Sequence, residues 1–162
     1  MEGRVGRAEH LWIPARADYA IRALVALAAA DKSLTAAEIA RERNVPKTYL
    51  TVILAQLRRN GLVQSQRGRT GGYLLAKDPA TVSLAEVLRA VDETVDRPID
   101  LTDRGLNPTY QVLRESLVGL LDTVFVADLV AGIVPDQIRK LATHLSIPPV
   151  RRTRKPLSRR AR

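Results

Sequence analysis

Between residues 47 and 72 the chain carries Lys47, Thr48, Tyr49, Thr51, Val52, Arg58, Arg67 and Arg69, followed by the adjacent pair Gly71 and Gly72. Cationic, hydroxyl and small apolar groups mixed at this spacing suit contact with a polyanion that also presents readable edges. Arginine and lysine meet phosphate as charge. Threonine hydroxyls bond phosphate or base edges, and an aliphatic side chain such as Val52 can lie on a thymine methyl. Lys47, Thr48 and Tyr49 are consecutive, so they share the first turn of whatever helix they begin. Arg67 and Arg69 flank glycines and suit a narrow, electronegative groove. Arg22 and Arg58 read as phosphate contacts.

Other chemistry finds few residues. The chain has no cysteine, which removes disulfides, thiolate metal ligands and cysteine nucleophiles together. His10 and His144 lie far apart and offer no metal spacing. Asp92 and Glu93 are adjacent, so they point to different helix faces and make a poor acid–base pair. No phosphate loop, nucleophile elbow or dinucleotide fingerprint appears. Neither a catalytic residue nor a metal site is therefore expected.

Net charge is +9, distributed unevenly. Residues 16–77 carry 11 basic and 4 acidic side chains, residues 78–150 carry 6 and 11, and residues 151–162 carry 7 and none. Two cationic segments around an acidic one favour a nucleic-acid partner. No stretch approaches the roughly 18 apolar residues of a membrane span. With no signal pattern and no cysteine, a soluble cytoplasmic protein is expected.

The elements that must position these residues follow from periodicity. Residues 16–30 place Ile21, Leu24, Val25 and Ala28 at helical spacing. Thr35 and Glu38 form a capping box for a second helix, which ends near Arg43 with Asn44 as a left-handed stop. Pro46 suits the first turn of a third helix, with Leu50, Ile53, Leu54 and Leu57 as its buried stripe and Gly61 as its end. Two strands, 62–65 and 73–76, flank a glycine-rich turn, so a basic hairpin follows the helix-turn-helix as a wing. Ser83 and Glu86 predict a second capping box, and residues 96–107 read as a loop. Asn107-Pro108 then starts a long helix to about Ala131. Leu113, Leu117, Leu120 and Val124 form a heptad-like seam along it, beside a second stripe of Val118, Leu121, Phe125 and Leu129. One stripe can face its own domain and the other a second copy of the chain. Pro135 starts a last short helix to about Leu145.

The expected organisation is an extension over 1–12, a winged helix-turn-helix over 13–80, a connecting helix, loop and dimerisation helix over 81–147, and a basic disordered tail over 148–162. The fold class is mainly α with a small β-hairpin wing. Trp12 is expected to pack against the dimer helix, and Tyr19 and Tyr73 to sit in the core.

The strings Asp18-Tyr19-Ala20-Ile21-Arg22-Ala23-Leu24, Val45-Pro46-x-x-Tyr49-Leu50-x-x-Ile53-Leu54-x-x-Leu57-Arg58-x-x-Gly61-Leu62-Val63 and Ser65-x-Arg67-Gly68-x-x-Gly71-Gly72-Tyr73-x-Leu75-Ala76 closely resemble the Rrf-two (Rrf2) family of regulators. Val82-Ser83-Leu84-x-Glu86-Val87 continues the match, which spans roughly residues 13–130. The resemblance implies a winged-helix homodimer that binds palindromic operators on double-stranded DNA, usually as a repressor. Many members hold an iron–sulfur cluster on three cysteines in the loop before the dimer helix. Here residues 95–107 contain neither thiolate nor imidazole, so no cofactor is expected. Asp18 matches a carboxylate ligand of the nitric-oxide-sensing type, and without cysteines it reads as a surface residue. Sensing would then use a small-molecule effector or a partner protein. The alternative reading is a regulatory module that acts mainly through a protein partner such as a metabolic enzyme; an RNA-binding protein or a small enzyme ranks last.

Overall fold

The computed structural model describes residues 14–30, 32–68, 71–92 and 108–148. The described elements run α1 (Ala15–Ala29), α2 (Ala36–Arg43), α3 (Lys47–Arg59), β1 (Val63–Gln66), β2 (Gly72–Leu75), α4 (Leu84–Val91), α5 (Pro108–Leu121), α6 (Val126–Ala131) and α7 (Asp136–His144). The N-terminal extension with Trp12 and His10, Arg69, the expected loop over 96–107 and the expected tail from 149 lie outside the described residues.

The core is built around α1. Ala17, Ala20, Ala23 and Ala26 are all buried, with Leu24 and Leu27 beside them. A stripe of methyl side chains lets neighbours approach closely, and α1 packs on α2, α3, α4 and α6. Tyr19 and Tyr73 are half-buried against this core rather than inside it.

Caps set the helix ends. The Glu38 N–H donates to Thr35 Oγ1 at 3.2 Å, and the Thr35 N–H donates to Glu38 Oε2 at 2.7 Å. Asn44 ends α2 in the left-handed region, at φ 52°. Pro46 is the N-cap of α3, one position before the expected first turn. At the far end Gly61 takes φ +69°, the Leu62 N–H donates to the Leu57 carbonyl at 2.9 Å, and the Gly61 N–H donates to Arg58 at 3.1 Å. This pair of bonds with Leu62 buried is a Schellman stop. It uses up Leu62, so β1 begins at Val63, one residue later than the alternation suggested.

The wing is antiparallel, with Val63 opposite Leu75 and Gln66 opposite Gly72. A further rung, on the other edge of β2, comes from the α1–α2 connection. Leu34 and Tyr73 exchange backbone bonds of 3.0 and 2.8 Å. At Gly72 a Cβ would stand 2.6 Å from the Leu34 carbonyl oxygen, so only glycine lets the wing lie this close.

The second capping box forms by half. Ser83 Oγ accepts from the Glu86 N–H at 3.1 Å, but the Glu86 carboxylate instead takes Lys77 Nζ at 2.7 Å.

The continuous helix expected over 108–131 is not one helix. It ends at Leu121, turns over residues 122–124, and resumes at Val126. Long-range bonds make the break. The Arg89 guanidinium donates through both terminal nitrogens to Asp122, at 3.1 Å each, and Ser83 Oγ donates to the same carboxylate at 3.1 Å. Ser83 and Phe125 then form a bridge, with the Leu84 N–H donating to Val124 at 2.8 Å and the Val126 N–H to Val82 at 3.0 Å. Val124 therefore lies in the turn, 8% exposed and buried within its own chain, and does not extend the Leu113–Leu117–Leu120 seam on α5. Asp128 accepts from the Phe125 N–H at 2.9 Å and starts α6, which packs on α1. No helix among the described residues is long and apolar enough to cross a membrane.

Candidate nucleic-acid interface

The third helix presents two faces. Leu50, Ile53, Leu54 and Leu57 are buried, while Lys47, Thr48, Tyr49, Thr51 and Val52 are exposed on the first two turns. Tyr49 is 66% exposed and Val52 54%, high values for side chains with no structural reason to meet water. The Thr51 hydroxyl donates to the Lys47 carbonyl at 3.1 Å, which leaves its lone pairs as acceptors on that face. The first turn of α3 contains no acid and its N-cap makes no side-chain bond, whereas α2 and α4 carry Glu38 and Glu86 there. A lysine at a helix N-terminus opposes the macrodipole, and an anion arriving from outside reverses that cost.

The remaining cations frame this face unequally. Arg58, at the end of α3, reaches Ser65 Oγ of β1 at 3.4 Å, joining recognition helix and wing. Arg67 is exposed where β1 ends. Arg22 is half-buried and paired with Asp18 at 2.9 Å one turn back, so a phosphate there would compete with a carboxylate. Gly71 and Gly72 shape the wing: a Cβ on Gly71 would stand 2.6 Å from the Gln66 carbonyl oxygen. Their part in any interface is to place Arg67.

Sequence spacing missed a groove between α1 and α3. Ala15, Arg16 and Tyr19 form one wall and Thr48, Tyr49 and Val52 the other, around about 460 Å³. The Tyr19 and Tyr49 rings meet at 6.5 Å between centroids, tilted by 52°. Arg16 also donates to the Val91 carbonyl at 3.4 Å, and Asn60 Nδ2 donates to Ala90 at 3.2 Å, so the end of α4 is tied to α1 and α3. The only signal for the groove was the i, i+3 pair of large apolar residues off the buried stripe, Tyr49 and Val52.

A helical pair, a recognition helix with an open face and a hairpin bridged back to the α1–α2 connection define a winged helix-turn-helix, a DNA-binding class. The family model Rrf2, described as an iron-dependent transcriptional regulator, matches residues 13–132. The chain is 34% identical over 139 residues to the HTH-type transcriptional regulator Rv1287 of Mycobacterium tuberculosis (strain ATCC 25618 / H37Rv), covering 79% of this chain and 86% of that one. It is 34% identical over 122 residues to the HTH-type transcriptional regulator IscR of Klebsiella pneumoniae (strain 342), covering 69% and 75%. Among solved structures, CymR, the global cysteine regulator of B. subtilis, superposes with a TM-score of 0.65 at 24% identity, over 77% of this chain and all of that one. IscR of T. potens gives 0.63 at 24%, over 82% and 99%. The chain belongs to the Rrf2 family of transcriptional regulators and is not an enzyme.

The iron in the family description meets the wrong donors here. The chain has no cysteine, and the described residues hold no group of three His, Cys, Asp or Glu side chains placed for a metal ion. Iron–sulfur clusters require soft thiolate ligands, so these residues do not fit one.

Proposed function

We propose that the protein is a homodimeric repressor that binds a palindromic operator. The carrying observation is the exposed, acid-free start of α3, with Lys47, Thr48, Tyr49, Thr51 and Val52 on one open face. In this reading these side chains enter the major groove and Arg67, with Arg69, enters the adjacent minor groove. Arg58 and Arg22 hold phosphates. The two-fold axis runs along α5, where Leu113 and Leu117 are 56% and 52% exposed and Leu120 is half-buried. Two recognition helices then meet half-sites about one helical turn apart, roughly 34–36 Å. Signal input is a small molecule or a partner protein, with no iron–sulfur cluster. Footprinting on DNA upstream of its own gene tests this reading: a protected inverted repeat, and reporter expression that rises when the protein is removed, are the expected results. Protection without symmetry, or expression that falls, would replace it with a different mode of control.

A further inference from the structure

We propose that the segment Leu11-Trp12-Ile13 folds back into the groove between α1 and α3 and competes there with DNA; the competition rests on the reading that α3 meets DNA. Position comes first. Pro14 is the N-cap of α1, and Ala15, the next residue, already lines the groove. An extended chain covers about 3.3–3.6 Å per residue, so the Trp12 backbone is within roughly 7 Å of Pro14, and the indole adds its own length.

Chemistry comes second. The groove is walled by the Tyr19 and Tyr49 rings and by Val52, and much of that apolar surface is open to water. Two rings tilted at 52° with centroids 6.5 Å apart leave an aromatic edge and face that a third ring can meet. Leu11, Trp12 and Ile13 form an unbroken apolar run, whereas residues 1–10 carry Glu2, Arg4, Arg7, Glu9 and His10. An apolar residue just before an N-cap ordinarily staples onto the fourth helical residue. Here that residue is Asp18, engaged by Arg22 at 2.9 Å, and the neighbouring apolar group is Tyr19. Because Tyr49 and Val52 belong to both the groove and the recognition face, a filled groove covers part of what DNA would touch.

Trp12 is the single tryptophan, so its emission reports its surroundings directly. In the full chain without DNA, blue-shifted emission protected from iodide is expected at every protein concentration. Val52→Asp, and separately Tyr49→Ser, should shift it to the red and expose it to quencher. Operator DNA should do the same to the unmodified chain. If the groove is filled nine-tenths of the time, Trp12→Ala should bind operator roughly tenfold more tightly. Water-like emission in the free chain overturns the proposal, as does a buried indole indifferent to both groove variants. A blue shift that fades on dilution identifies a second copy as the occupant and overturns it too. Unchanged operator affinity in Trp12→Ala removes the competition. If no variant binds DNA while the groove variants still move the emission, the docking stands and the reading of α3 falls.

Discussion

At Gly72 a single oxygen atom decides the residue. The Leu34 carbonyl accepts from the Tyr73 N–H at 2.8 Å and cannot withdraw without breaking the rung that seats the wing. Gly72→Ala should therefore cost about 1–3 kcal/mol, seen as a lower urea midpoint with an unchanged slope. The exposed threonines of α3 act on binding instead. Thr48→Val and Thr51→Val keep shape and remove the hydroxyl, so each should change preference at a particular base pair by up to about 1–3 kcal/mol and leave affinity for random DNA in place. Equal losses on operator and random DNA, measured by competition gel shift, would show that this face reads no bases. The cations and threonines stood out in the sequence because charge and residue type carry that information. That Asp18 holds Arg22 follows from their spacing of four along α1, a local signal that charge and residue type alone pass over. That Tyr19 and Tyr49 wall a groove depends on how helices cross, which residue type does not report.

The elements themselves were largely legible, because their boundaries are local chemistry. Thr35 with Glu38, Asn44 and Gly61 each fix a helix end within one turn, and the structure uses all three. The break after Leu121 was not legible. Apolar residues keep the 4–3 spacing straight through it, and the partner that stops the helix, Arg89, lies 33 residues away. Asp122 is held below its ordinary carboxylate value of 3.8, first by the hydrogen bond from Arg89 and then by Ser83. A lowered folded value means the stability it contributes is complete above the ordinary value and is lost as pH falls through the folded one. The pair is half-exposed, so the contribution is at most about 1 kcal/mol. Asp122→Asn should therefore be less stable than the unmodified chain above about pH 4, and the difference should vanish as pH falls further, because the unmodified chain loses the increment there. Thermal melts in a pH series compare the two, and identical acid limbs would show that the turn holds without the charge.

For the whole molecule, the α5 surface and the cationic tail make separate demands. Leu117→Asp should put a charge into the proposed dimer contact at a cost of several kcal/mol, and sedimentation should show a monomer that keeps its helical content. An unmodified chain that sediments as a monomer at micromolar concentration would exclude the contact. Residues 151–162 carry seven cations and no acid. Their removal should weaken operator and random DNA by similar factors, and flatten the dependence of log affinity on log salt by about 0.9 for each phosphate they neutralise. An unchanged slope would assign the tail to solubility alone.

The contact between α1 and α6 joins residues 15–29 to residues 126–131, with Val126 fully buried in the common core. Translation therefore makes the hub of this domain first and one of its walls almost last. At about 5–20 residues per second, the alanine stripe of α1 leaves the ribosome several seconds to some twenty seconds before α6 exists. During that interval α1 has a vacant flank, and four of its six buried side chains are alanine methyls. Such a flank offers little sticky area to a neighbouring nascent chain. The same alanines that let four helices crowd one axis also leave little on the unfinished domain for another chain to hold while it waits for α6.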